Sequence, residues 1–99
     1  MIDVRIQSSG FDPRESLKDF IQSKVNKLER FYDNIQKVEV SLKLKPDPVE
    51  NKEAAIRIHV PGTELFANKS CESFEESVDV VLEALTKQLI KYKEKLAVK

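Results

Sequence analysis

The apolar residues of this chain switch their spacing three times, and that succession limits the fold more than any other feature. Ile2, Val4 and Ile6 alternate with Asp3, Arg5 and Gln7, the signature of a strand with one buried face, and Ser8-Ser9-Gly10 breaks the pattern. Leu17, Phe20, Ile21, Val25, Leu28, Phe31 and Tyr32 then recur at steps of mostly three and four, giving an amphipathic helix that ends near Asp33 and Asn34. Asp12 reads as its N-cap and Pro13 as its first residue, with Glu15 completing a capping box. Alternation returns with Val38, Val40, Leu42 and Leu44, stops at Pro46-Asp47-Pro48, and resumes with Ala54, Ile56, Ile58 and Val60. Pro61-Gly62 turns the chain into a weaker fourth strand over about residues 64–69. A second capping box, Ser73-Phe74-Glu75-Glu76, opens a helix whose stripe is Phe74, Val78, Val81, Leu82, Leu85, Leu89, Tyr92 and Leu96.

The order is therefore β-α-β-β-β-α, an α+β chain. Each helix has one apolar stripe and each clear strand one apolar face, so two helices on one face of a four-stranded mixed sheet bury all of them. The first two strands, if adjacent, are parallel across the helical crossover, and the later connections are short enough for hairpins. Residues 1–99 read as a single domain, since 99 residues leave no room for a second core.

The single Cys71 precludes an internal disulfide and points to the reducing cytosol. The amino-terminal residues lack the apolar run of a signal peptide, and no stretch approaches the roughly 20 apolar residues of a membrane span. Enzyme chemistry finds little to work with. Two glycines, Gly10 and Gly62, allow neither a dinucleotide fingerprint nor a phosphate loop. His59 falls on the polar face of a strand, where a solvated or hydrogen-bonded imidazole is the ordinary outcome. Cys71 precedes a helix start, but Glu72, Glu75 and Glu76 disfavour a thiolate there. One His and one Cys make a poor metal set. Neither a catalytic site, a cofactor, a metal nor a small-molecule substrate is expected.

Charge is more informative in its distribution than in its sum. Seventeen basic residues balance seventeen acidic ones, which taken whole speaks against a nucleic-acid partner. Residues 72–83, however, hold five acids (Glu72, Glu75, Glu76, Asp79, Glu83) and no base, whereas 84–99 hold five lysines (Lys87, Lys91, Lys93, Lys95, Lys99) against Glu94. Complementing the helix macrodipole explains part of this, mainly in the terminal turns. Lys87, Lys91 and Lys95 fall on one helix face about 6 Å apart along the axis, comparable to the spacing of phosphates on a nucleic-acid strand. The first helix adds Arg14, Lys18, Lys24, Lys27 and Arg30 against Glu15, Asp19 and Glu29. With the helices side by side, Lys24 and Lys27 are expected to adjoin the lysine stripe. Phosphate binding by charge and an ordinary solvated helix face both remain open on these residues alone.

The segment Lys24-Val25-Asn26-Lys27-Leu28-Glu29-Arg30-Phe31-Tyr32-Asp33, followed by Val38-Glu39-Val40-Ser41-Leu42-Lys43, resembles the ribosome hibernation-promoting factors. So does Leu85-Thr86-Lys87-Gln88-Leu89-Ile90-Lys91-Tyr92-Lys93-Glu94-Lys95-Leu96, with its Gln-Leu and alternating lysines. The resemblance covers essentially the whole chain. It implies a fold like that of double-stranded-RNA-binding domains, and a cytoplasmic, ribosome-associated protein that binds the small ribosomal subunit and its rRNA in the channel for message and transfer RNA. It further implies blocked translation, inactive ribosome dimers in stress or stationary phase, and, in some bacteria, a second dimerisation factor as partner. Carried over by position, Lys24, Lys27, Lys87, Lys91, Lys93 and Lys95 would contact rRNA. The chain departs from the family at Ser73-Phe74-Glu75, where an Asp-Met-Tyr-like start is frequent, and at Ala84, where a basic residue is common. Its length matches the short form. The alternative implied by relatives is a protein-binding regulator of a sigma factor, for which the open sheet face and the acidic helix start would serve.

Overall fold

A computed structural model describes residues 2–97, with side chains through Lys95. The elements are β1 (Val4–Ser9), α1 (Glu15–Asn26), a 3₁₀ turn (Lys27–Arg30), β2 (Lys37–Leu44), β3 (Lys52–Val60), β4 (Thr63–Cys71) and α2 (Phe74–Ala97). The strands lie in the order β1-β2-β3-β4, with β1 parallel to β2 and the other pairs antiparallel. This is the α+β, mixed-sheet architecture that the spacing of apolar residues predicts.

Register explains why one face is dry. Val38 pairs with Ile58, Val40 with Ile56 and Leu42 with Ala54, so all six side chains leave the sheet on the same side. Leu17, Ile21 and Val25 of α1 and Val78, Leu85 and Leu89 of α2 close over them in one buried cluster. Each such side chain contributes about 1.5–3 kcal/mol by leaving water. The two-residue turn between β3 and β4 uses Pro61 to fix its first position and Gly62, at φ +87°, for the left-handed second one.

The helices run in the same direction. Phe11, ahead of α1, stacks on Phe74 at the start of α2 (4.8 Å), and Tyr32, after α1, meets Tyr92 edge-on near the end of α2 (5.6 Å). Since α1 has 12 residues and α2 has 24, α1 itself accompanies mainly the first half of its partner.

Several boundaries differ from expectation. Arg14, in extended conformation (φ −69°, ψ 152°), is the N-cap of α1, and its carbonyl rather than a side chain receives the N–H groups of Leu17 and Lys18. Asp12 and Pro13 are therefore not in a capping box. Pro13 holds the preceding residue extended, and the Phe11–Phe74 stack draws this approach segment toward α2, so the helix begins two residues late. At the other end α1 stops at Asn26 and tightens into the 3₁₀ turn, which brings Tyr32 onto the core and leaves Phe31 37% exposed. Ser8 and Ser9 prolong β1 by pairing with Leu42 and Lys43, and β4 spans nine residues. Leu44, at the far end of β2, is exposed. The second cap forms as expected, with Ser73 Oγ accepting from the Glu76 N–H at 3.1 Å. Met1, Val98, Lys99 and the side chain of Leu96 lie outside the described residues.

Candidate nucleic-acid interface

The rotation of α2 decides which lysines face solvent. Ser77, fully buried, donates its hydroxyl to the Lys52 carbonyl at 2.6 Å and also approaches the Ser73 carbonyl, tying the first turn of α2 to β3. Val78, Val81, Leu85 and Leu89 seat the middle of the helix on the sheet, and the Tyr92 hydroxyl donates to the Pro61 carbonyl at 2.6 Å near its end. Gln88 Nε2 donates to the Phe66 carbonyl at 3.2 Å, so that flank of α2 lies along the edge of β4. With the helix so fixed, Lys87, Lys91 and Lys95 are exposed in one row. Lys93 is exposed as well but turns about 200° away from Lys91, onto the flank that Asp79 occupies.

That flank faces α1. Lys24 Nζ lies 3.2 Å from the Asp79 carboxylate and 5.4 Å from the centre of the Phe20 ring. Lys24 thus meets the acidic half of α2 and not the lysine row. For Lys24 the expected place beside Lys87, Lys91 and Lys95 is taken by Asp79, about two turns ahead of Lys87 on α2. Lys27 is exposed beside Arg30, Asn26 and Gln22 around a shallow hollow on α1. Among the described residues, Lys27, Lys87, Lys91, Lys93 and Lys95 make no ion pair. A row of unpaired cations keeps its charge available to a polyanion, whereas the charge of Lys24 is already matched.

The sheet face opposite the helices carries the remaining polar groups. His59 Nε2 donates to Glu39 at 2.6 Å, and Glu64 lies 3.6 Å from the other ring nitrogen. The hydrogen bond from His59 holds the Glu39 carboxyl below its ordinary value of 4.5, with the charge of Lys37 assisting against partial desolvation. A carboxyl whose folded pKa lies below its unfolded one lends stability above the unfolded value and loses it as pH falls through the folded one. Stability should therefore decline as the pH drops below about 4.5. His59→Phe should make that decline shallower and move the Glu39 carboxyl titration upward in carbon NMR; an unmoved titration would show that His59 does not hold this carboxyl. Cys71 is buried at the end of β4, away from solvent oxidants. No cluster of three or more metal-ligating side chains occurs among the described residues.

Two features of this surface escape a sequence reading. Gln88 anchors the lysine-bearing flank of α2 to β4, and Phe66 stands 48% exposed on the open sheet face with the Arg57 guanidinium 5.5 Å from its ring centre. The signal for Phe66 is its phase, since it shares a face with Glu64 and Asn68 and so alternates out of the core.

Similarity to known proteins agrees with this architecture. The relatives include a ribosome hibernation promoting factor of Azotobacter vinelandii, 33% identical over 95% of this chain and 85% of its own length. A protein of the same name from Escherichia coli strain K12 is 30% identical over 96% of this chain and 97% of its own length. Among solved structures, a ribosomal subunit interface protein from Coxiella burnetii superposes with a TM-score of 0.85 at 19% identity, covering 94% of this chain and 99% of that one. The Protein Y N-terminal domain of Thermus thermophilus gives 0.81 at 17% identity, covering 93% of this chain and 99% of that one. These two establish the fold. The family model described as "Sigma 54 modulation protein / S30EA ribosomal protein" matches residues 4–97, and with the two sequence relatives it shows that the chain belongs to that family.

Proposed function

We propose that this protein is a ribosome hibernation factor that binds the small ribosomal subunit through rRNA phosphates, occupies the channel for message and transfer RNA, and so keeps ribosomes idle in the cytoplasm under stress or in stationary phase. The observation that carries this reading is the row of exposed, unpaired lysines on α2, Lys87, Lys91 and Lys95, in a family whose named relatives are hibernation factors. Lys27 and Lys93 contribute from the α1 side, and Lys24 only once it has exchanged Asp79 for a phosphate. Residues 1–99 act as one ribosome-binding unit. The mechanism is steric. A body of 48 × 24 × 19 Å lying in a channel meant for single-stranded message and transfer-RNA stems excludes both, and no bond is made or broken. Idle ribosomes freed of message then associate into dimers, alone or with a second factor.

Sedimentation of stationary-phase lysates tests the proposal. The protein should co-migrate with ribosomal particles in low salt and leave them as salt rises, because each phosphate contact releases counterions. Three such contacts imply a loss of about 40-fold in affinity between about 50 and 200 mM salt. Absence from ribosomal particles, or migration with RNA polymerase and a sigma factor, would overturn it in favour of the protein-binding regulator.

A further inference from the structure

The open sheet face carries a platform that core packing does not use. Phe66 pairs across the ladder with Arg57, Arg57 with Glu39, and Glu39 with Arg5, so these four side chains form one row across the sheet. The neighbouring row is short, with Ser41 and Ala55 at its centre, and leaves a hollow of about 180 Å³ against the Phe66 ring. Two guanidiniums and one carboxylate border this hollow; Glu39 is engaged by His59, Arg57 pairs with Glu64 at 3.3 Å, and Arg5 lies 3.9 Å from Asp3. An exposed ring with a guanidinium over it, beside an open hollow, suits a flat π-system.

Its position narrows the occupant. The Phe66 carbonyl accepts from Gln88, the residue next to Lys87 and one turn before Lys91. The platform therefore lies just around the β4 edge from the lysine row, and a strand whose phosphates follow the row needs only one displaced nucleotide to reach it. We propose that the Arg5-Glu39-Arg57-Phe66 row is a nucleobase platform, on which one unpaired base of the RNA bound by Lys87, Lys91 and Lys95 stacks against Phe66, with Arg57 and Arg5 flanking its phosphate once they exchange Glu64 and Asp3 for it. This rests on the RNA-binding reading of the lysine row. Stacking of this kind tolerates any base, because every base presents a π-face.

Two RNA hairpins provide the probe, one fully paired and one with a single unpaired nucleotide. The chain has no tryptophan, so F66W supplies a unique emission signal. The natural protein should prefer the hairpin with the unpaired base by roughly tenfold. F66W should keep the preference, and its emission should be quenched by that hairpin. F66A and F66L should bind both hairpins with the affinity the natural protein has for the paired one, with unchanged thermal unfolding confirming that they fold. Preference retained in F66A, no preference in the natural protein, or unquenched F66W under conditions where fluorescence anisotropy shows binding would each overturn the proposal. Weakened binding of F66A to small subunits with an unchanged hairpin preference would also overturn it, by assigning Phe66 to a ribosomal protein. Failure of the RNA-binding reading itself would appear separately, as no association of the natural protein with small subunits.

Discussion

Reversing Lys87, Lys91 and Lys95 together to Glu is expected to abolish co-sedimentation with small ribosomal subunits in low salt, a weakening of at least about 100-fold. The substitution replaces three attractive charges with three repulsive ones on the row that faces a polyanion. The fold should survive it, because all three side chains are exposed and make no ion pair among the described residues. Surface changes of this kind usually stay within about 0.5 kcal/mol each. Glu at position 95 adds a small unfavourable interaction with the helix C-terminus, about 0.3–1 kcal/mol. Circular dichroism should therefore show the natural helix content with a slightly lower unfolding midpoint. Lys24→Gln is the informative companion, since Lys24 is already neutralised by Asp79 at 3.2 Å, and it should weaken binding by less than about threefold. Triple reversal without loss of binding would move the contact surface elsewhere; loss in Lys24→Gln equal to that in the triple variant would place it between the helices.

What the sequence discloses and what it hides divide along a physical line. Strand phases were legible because a period of two leaves no freedom: once Val38, Val40 and Leu42 are buried, Glu39, Ser41 and Lys43 must face away. The lysine row was legible for the same reason, as a spacing of four on a helix fixes one face. The start of α1 was not, because Asp12 and Pro13 satisfy a capping rule locally while the Phe11–Phe74 stack, a contact across 63 positions of chain, keeps them extended. Local preference yields there to a tertiary contact.

The interface shows the same division. That Lys24 and Lys27 fall on the solvent side of α1 follows from their own helix, yet what they adjoin depends on the relative length and direction of two helices. Parallel helices of 12 and 24 residues set α1 beside the acids of α2 and leave its lysines beyond. The zero net charge is the sum of these separated poles and carries no trace of the separation. Phe66 is easily passed over for another reason: aromatic residues are good strand formers on either face, so its type says nothing of its exposure, which its phase with Glu64 and Asn68 and its register with Arg57 disclose.

Leu85→Ala should produce the opposite phenotype to the lysine reversal. Leu85 is fully buried at the middle of α2 and two residues from Lys87, so it lies close to the proposed contact while touching only the core. Truncation removes transfer energy and leaves a cavity between α2 and the sheet, costing about 3 kcal/mol. For a domain of this size that lowers the unfolding midpoint by about 15 °C. Against a total of about 5–15 kcal/mol the variant still folds at low temperature. There the exposed lysines remain in place, so small subunits should be bound within about threefold of the natural affinity, and added subunits should recover part of the lost stability because they bind only the folded form. Thermal melts with and without small subunits check both halves. Binding lost in the cold while helix content is retained would mean that α2 positions its lysines through core packing finely enough for one cavity to misplace them, and that the interface requires shape as well as charge.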